Sequence, residues 1–116
     1  MDVYLITFDL KPGVDDIAFA EALTAFLDHM KAHGRIEHWR LLRRKLGFGP
    51  REHGEFRVMI ETRDLAQLDQ AFQAAATRAG DVERLHFDVN AHAANVTFSL
   101  LRDFPDAGRV RGEERF

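Results

Sequence analysis

The sequence contains no cysteine, one tryptophan and three prolines among its 116 residues. Without cysteine the chain has no disulfide framework, no thiolate nucleophile and no thiolate metal site, so thiol redox chemistry is excluded. No apolar run approaches the ~20 residues that span a bilayer as a helix. The opening residues, MDVYLITFDLKPG, lack the basic start of a secretory signal. These absences predict a cytoplasmic protein without membrane contact.

Positive charge is not in excess. Lys and Arg total 16 against 19 Asp and Glu, for a net charge of -3. Because phosphate contacts require an excess of Lys and Arg, we predict no nucleic-acid partner. The length suits one domain, which we expect over residues 1–104 with a C-terminal arm from about residue 91. Residues 105–116 are expected to form a flexible tail.

Hydrophobic periodicity predicts six elements in the order β-α-β-β-α-β. Four strands are expected at residues 3–10, 35–46, 55–61 and 82–89. The second of these is expected to be long, basic and bulged. One helix should run from Asp15 or Asp16 to about His33, and another from Asp64 to Gly80. This order is that of the α+β ferredoxin-like fold, an antiparallel sheet with strands one and three in its centre and both helices on one face.

The strand alternation separates the two faces of the sheet. Nine apolar positions are assigned to the face beneath the helices: Tyr4, Ile6, Phe8, Phe56, Val58, Ile60, Leu85, Phe87 and Val89. The opposite face is mixed and includes Val3, Leu5, Leu42 and Met59. Such an apolar patch needs cover, and the sheet of a second subunit would provide it, so we predict a homodimer. An additional extended segment at 96–104 also requires burial, which we expect the partner subunit to provide.

Several segments resemble a known family. The opening VYLITFDLKPGVDD resembles the start of stress-responsive dimeric α/β-barrel proteins. The runs RIEHWRLLRRKLGFGP, GEF, RDLAQLDQAF, VN and LLRDFPD are similar to an uncharacterised bacterial group of that superfamily, over roughly residues 1–106. The resemblance implies two subunits whose sheets enclose a barrel, with a small-molecule pocket between sheet and helices or within the barrel. The superfamily includes cofactor-independent monooxygenases, haem-degrading enzymes, muconolactone isomerases, dye-decolourising peroxidases and members without known activity. No motif here transfers a catalytic set from any of them.

The strongest catalytic candidates are His86 and Asp88, two residues apart on a predicted strand and therefore on one face. A histidine supported by a carboxylate can transfer protons near neutral pH. His38 joins them if it shares that face. The candidate substrate-binding residues are Arg40, Arg57, Met59 and Arg84. The alternative interpretation of His86 and Asp88, which we favour over catalysis, is an ordinary salt-bridge network across the strands.

No metal or cofactor is predicted. His29 and His33 have the i, i+4 spacing of metal-binding histidines. No neighbouring glutamate completes a zinc motif, and the last turn of a helix favours cationic groups by its dipole. A haem or metal binder therefore stands third among the hypotheses.

Two functions of different classes remain open at this point. The first is a homodimeric α/β-barrel protein that binds a small, partly apolar molecule, as a cofactor-independent monooxygenase or isomerase does. The second is a non-catalytic structural or interaction module whose inner polar groups serve only the dimer interface.

Overall fold

The computed structural model describes residues 1–76, 86, 89–105 and 108–112. Its helices and strands are β1 (Asp2–Leu10), α1 (Asp16–Ala32), β2 (His38–Arg43), β3 (Phe56–Thr62), α2 (Leu65–Ala76) and β4 (Ala93–Arg102). The strands form one antiparallel sheet in the order β2-β3-β1-β4. The predicted ferredoxin-like fold, with β1 and β3 in the centre, is confirmed.

The fourth strand lies elsewhere than predicted. The segment expected to form an extra arm provides β4, which pairs with β1 from Asp2 opposite Arg102 onwards. The strand predicted at 82–89 is wrong at His86 and Val89, which are helical, and its other residues lie outside the described part of the chain. Residues 93–102, AANVTFSLLR, combine β-branched and aromatic side chains that suit a pleated surface.

The second strand is shorter than predicted and regular. β2 pairs residue by residue with β3 from His38 to Arg43, without the expected bulge. The irregularity lies instead between β1 and β4, where the register shifts between Thr7 and Asp9. Beyond this shift the carboxylate of Asp9 accepts hydrogen bonds from the backbone N–H of Glu55 at 2.9 Å and from Asn95 Nδ2 at 3.3 Å. Asp9 therefore connects the end of β1 to Glu55, which immediately precedes β3, and to Asn95 near the start of β4.

Local capping signals place α1 as predicted. The Asp15 side chain accepts a hydrogen bond from the backbone N–H of Ala18 at 2.9 Å, as an N-cap residue does. His33 is the C-cap, and Gly34 follows with a φ of 69°, a left-handed conformation that glycine adopts without strain. The buried stripe of α1 consists of Phe19, Leu23, Phe26, Leu27 and Met30. It is the stripe that helical periodicity indicates.

The buried side chain of Gln67 joins α2 to the α1–β2 connection. Asp64 caps α2 by accepting from the backbone N–H of Gln67 at 2.8 Å. Gln67 Oε1 accepts from the backbone N–H of Arg63 at 2.7 Å, and Nε2 donates to the carbonyl of Gly34 at 3.1 Å. The same amide lies 3.4 Å from Glu37 Oε1. Only 1% of Gln67 is exposed, so these bonds satisfy an amide inside the protein.

The core lies between the helices and one face of the sheet. Phe8, Phe56, Val58 and Ile60 are buried there, as predicted, and Phe8 stacks on Phe56 with ring centroids 5.6 Å apart. Tyr4, Ile6 and Val89 are partly buried against this cluster, while Leu85 and Phe87 lie outside the described residues. Both α1 and α2 therefore cover the same face, and no helix of the described residues covers the other face of the sheet.

Candidate ligand cavity and open sheet face

A cavity of about 380 Å³ lies between the helices and the sheet. Side chains from α1, α2, β1, β3 and β4 line it, and most of them are apolar. Representative lining residues are Phe8, Phe26, Met30, Leu68, Phe72 and Phe98. The volume is in the range of small-molecule sites, so the cavity is large enough for a ligand.

Three polar side chains interrupt the apolar wall within the described residues, those of Tyr4, His86 and Asn90. No Asp, Glu, Lys or Arg of the described part of the chain lines the cavity. An apolar site with a few polar groups binds an apolar body and orients it through hydrogen bonds. The cavity thus favours an uncharged ligand that carries at least one polar group.

His86 belongs to this cavity, whereas the sequence assigned it to the opposite side of the sheet. Its imidazole stacks on Phe26, with ring centroids 5.4 Å apart and an interplanar angle of 25°. The earlier assignment was wrong because it took His86 for a strand residue, and in the structure the residue is helical. Asp88 and Arg84 lie outside the described residues, so their pairing with His86 remains a prediction.

The sequence analysis placed Tyr4 in the core but identified neither Tyr4 nor Asn90 as a candidate site residue, and both line the cavity. The ring of Tyr4 stacks on Phe98 at 5.8 Å and meets the ring of Phe72 edge-on at 5.1 Å. Burial raises the pKa of the Tyr4 phenol above its ordinary value, because removal from water disfavours the phenolate. The available signal was a lone tyrosine at a core position of a chain with ten phenylalanines, since a buried hydroxyl needs a polar partner.

The remaining site candidates share the other surface of the sheet, here called the open face. In the β2–β3 ladder His38 lies opposite Glu61, Arg40 opposite Met59 and Leu42 opposite Arg57. The same rows continue through β1 and β4 with Val3, Leu5, Thr7, Thr97, Ser99 and Leu101. The predicted residues His38, Arg40, Arg57 and Met59 therefore come together, but the sheet separates them from His86 and the cavity.

The open face combines apolar and cationic groups. Val3, Leu5, Leu42 and Met59 are half-buried, and half of Leu101 is exposed. His38 and Arg40 are exposed on the β2 side. On β1 and β4 the residues of these rows are uncharged: Val3, Leu5 and Thr7 and the β4 residues paired with them. The face is thus apolar towards β1 and cationic towards β2.

The two histidines at the end of α1 have a structural explanation. Their rings lie 4.2 Å apart, and His33 Nδ1 lies 2.9 Å from the carbonyl oxygen of His29, which accepts. This contact satisfies a terminal helix carbonyl. No group of three His, Cys, Asp or Glu residues in the described ranges is arranged to hold a metal ion. Within the same ranges, no helix has the length and apolarity that crossing a membrane requires.

Comparison with known proteins identifies a family and a fold. The model of a family of unknown function, DUF6614, matches residues 1–116. No curated protein matches the chain. A dimeric ferredoxin-like protein of unknown function from Jannaschia sp. CCS1 is 15% identical, with a TM-score of 0.66 over 88% of this chain and 98% of its own.

Two further crystal structures are similar. An antibiotic biosynthesis monooxygenase is 22% identical, with a TM-score of 0.60 over 90% of this chain and 100% of its own. A dimeric ferredoxin-like protein of unknown function from Bacteroides fragilis NCTC 9343 is 11% identical, with a TM-score of 0.55 over 88% and 95%. At these identities the similarities establish the ferredoxin-like fold.

Proposed function

Because the chain belongs to the DUF6614 family, for which no function is established, we propose its function from its own residues: it is a homodimer that binds a small, partly apolar molecule. The binding site is the cavity of about 380 Å³ between the helices and the sheet. The observation that carries this proposal is the apolar wall with Tyr4, His86 and Asn90 as polar groups among its described residues. Such a wall selects for an apolar body and fixes one polar substituent.

The reaction class that we propose is proton transfer at a carbon atom of the bound molecule, as in cofactor-independent oxygenation or isomerisation. An imidazole changes its protonation near neutral pH, so His86 is suited to take up or return a proton. The ferredoxin-like fold shared with an antibiotic biosynthesis monooxygenase supports this class. The alternative function is that of a non-catalytic structural or interaction module, in which case the cavity binds no ligand.

A cavity-filling variant tests the binding site. N-phenyl-1-naphthylamine, a neutral probe that fluoresces in apolar surroundings, is titrated into the protein. We expect Ala75→Trp, which places an indole at a lining residue, to weaken probe binding at least about tenfold. Ala66→Trp, at an exposed position of the same helix, is the matched control and should bind as the wild type does. Equal binding by all three proteins would place the probe elsewhere and overturn the cavity as the site.

Native mass spectrometry of the protein as purified identifies candidate substrates. A compound that co-purifies with the wild type and not with Ala75→Trp is assayed for turnover. We expect His86→Asn to keep binding it and to lose its conversion, because asparagine cannot transfer a proton near neutral pH. Unchanged turnover would remove His86 from the reaction. No co-purified compound together with no probe binding would favour the non-catalytic module.

The open face supports the homodimer. Its half-buried apolar side chains are neighbours on three strands and form a patch of the kind that marks a protein–protein interface: Val3, Leu5, Leu42 and Met59. A twofold axis brings the same face of a second copy onto it. We expect Leu5→Asp to shift the protein to monomer in sedimentation velocity while its circular dichroism is unchanged. Ile17→Asp, at a residue 66% exposed on α1, should remain dimeric. A dimeric Leu5→Asp variant would refute this interface.

A further inference from the structure

The open face carries more positive than negative charge at the positions that the proposed dimer buries. In the rows of this face that pair across the four strands, Arg40 and Arg57 carry positive charge and Glu61 alone carries negative charge. Two further carboxylates lie where these rows end, those of Asp9 and Glu55, and neither forms an ion pair with Arg40 or Arg57. Asp9 accepts from the Glu55 backbone and from Asn95, and the Glu55 carboxylate binds Arg43 at 3.1 Å. Neither arginine therefore forms an ion pair with a carboxylate of the described residues.

The two arginines are neighbours on adjacent strands. Arg40 lies opposite Met59, and Arg57 lies two residues before Met59 on the same strand, so the pair occupies diagonal positions of one face. Arg57 Nη1 donates to the carbonyl of Gly54 at 3.2 Å, and Arg40 is exposed. The ion pairs of the described residues include neither arginine. Two like charges on one face repel each other, and the repulsion grows when water is removed from around them.

Dimerisation doubles the number of these charges and removes them from water, and the inference therefore rests on the proposed homodimer. A twofold axis encloses both copies of Arg40, Arg57 and Glu61, so arginines outnumber glutamates by two to one. Burying an unpaired charge is strongly unfavourable, whereas guanidinium groups bind carboxylate and phosphate oxygens in a bidentate manner. We propose that an anionic small molecule binds between the two sheets, held by Arg40 and Arg57 of both protomers.

This anion site is distinct from the cavity under the helices. The described residues of the cavity wall include no arginine or lysine, whereas the open face presents two arginines. The ligand class is an anion with phosphate or carboxylate oxygens, which fit the planar fork of a guanidinium group. One face of the sheet thus serves an uncharged molecule and the other an anion.

Sedimentation equilibrium in inorganic phosphate and in chloride of equal ionic strength tests the site. We expect phosphate to lower the dimer dissociation constant of the wild type about tenfold or more, because it removes like-charge repulsion from the interface. Arg40→Gln and Arg57→Gln should each lose this response. Arg51→Gln, at an exposed position outside the four strands, is the control and should keep it. Malonate at the same ionic strength distinguishes a carboxylate from a phosphate preference.

The outcomes separate this proposal from the dimer itself. A wild-type dimer that is insensitive to both anions overturns the anion site and leaves the dimer in place. A phosphate response that persists in Arg40→Gln and Arg57→Gln also overturns it, since the anion would then bind elsewhere. A wild-type chain that is monomeric in every buffer overturns the homodimer and the anion site together. None of these results bears on the cavity, which is tested with the neutral probe.

Discussion

Gly54 touches the backbone of Phe8. A β-carbon at Gly54 would lie 2.1 Å from the carbonyl carbon of Phe8 and 2.2 Å from its carbonyl oxygen, where real β-carbons essentially never come within 3.0 Å. The segment that enters β3 therefore passes the end of β1 at a distance that only glycine permits. This contact adjoins Phe8 and Phe56, whose rings stack in the core.

We predict that Gly54→Ala lowers the free energy of unfolding by about 2 kcal/mol or more, because the backbone of β1 or β3 has to move. The measurement is the urea midpoint at constant slope. Gly47→Ala is the control. A β-carbon at Gly47 would meet no atom within 4 Å, but the residue has a φ of 73°. We therefore expect this variant to lose only about 1 kcal/mol, from the strain of the left-handed conformation. Equal losses in the two variants would argue against the close approach.

We predict that Asp9→Ala lowers the free energy of unfolding by about 1–3 kcal/mol, because it leaves the backbone N–H of Glu55 without its acceptor. Thermal and urea unfolding both measure this loss. Asp69→Ala removes an exposed carboxylate that bonds Gln73 within α2, and its effect should stay within about 0.5 kcal/mol. A similarly small effect of Asp9→Ala would show that the carboxylate does not connect the strands.

We predict a loss of about 1–3 kcal/mol in the free energy of unfolding for Gln67→Ala, because it removes a buried amide that accepts from the Arg63 N–H and donates to the Gly34 carbonyl. Gln70→Ala replaces an exposed glutamine of the same helix and should be neutral or slightly stabilising, since alanine has the higher helix propensity. Hydrogen exchange should also increase at the start of α2 in Gln67→Ala alone. Equal stability of the two variants would exclude this role.

We predict that Tyr4 titrates above pH 10 in the folded protein. It is the only tyrosine, so phenolate absorbance near 295 nm reports this residue alone. Burial raises the pKa of Tyr4 in the folded protein, so the neutral phenol contributes to the free energy of unfolding. This contribution is fully present below the unfolded pKa of about 10 and is lost as the pH rises from there through the folded pKa. The midpoint should fall to about 10 in urea. In Tyr4→Phe this part of the alkaline stability loss should disappear. A folded midpoint at or below 10 would contradict burial of the phenol.

Local signals explain what the sequence predicts well. The ends of α1 follow from Asp15 and Gly34, whose capping roles depend on neighbouring backbone groups alone. The alternation in β3 is also a local signal, and it places Phe56, Val58 and Ile60 in the core. A pattern of period two or 3.6 suffices wherever one element faces one core.

The fourth strand required information that is not local. Residues 82–89 and 93–102 both resemble strands, and which of them pairs with β1 depends on contacts with a strand far away in the chain. The error moved His86 to the wrong side of the sheet, while His38, Arg40, Arg57 and Met59 kept their common face.

Arg44 shows a second limit. It reads as one more cation of a basic strand, yet its guanidinium donates to the carbonyls of Pro50 and His53, both at 2.7 Å, and so holds the β2–β3 loop together. The sequence shows that a residue is charged, but not which groups its side chain contacts.

The pairing of Asp2 with Arg102 has a consequence for synthesis on the ribosome. Of the four strands, β1 leaves the exit tunnel first, and its β4 edge stays unpaired until translation has passed Arg102. β3 becomes available earlier and can cover the other edge. Nascent chains therefore pass through a stage in which three strands are available and one edge of β1 is unpaired, and this edge is where neighbouring nascent chains would pair with one another.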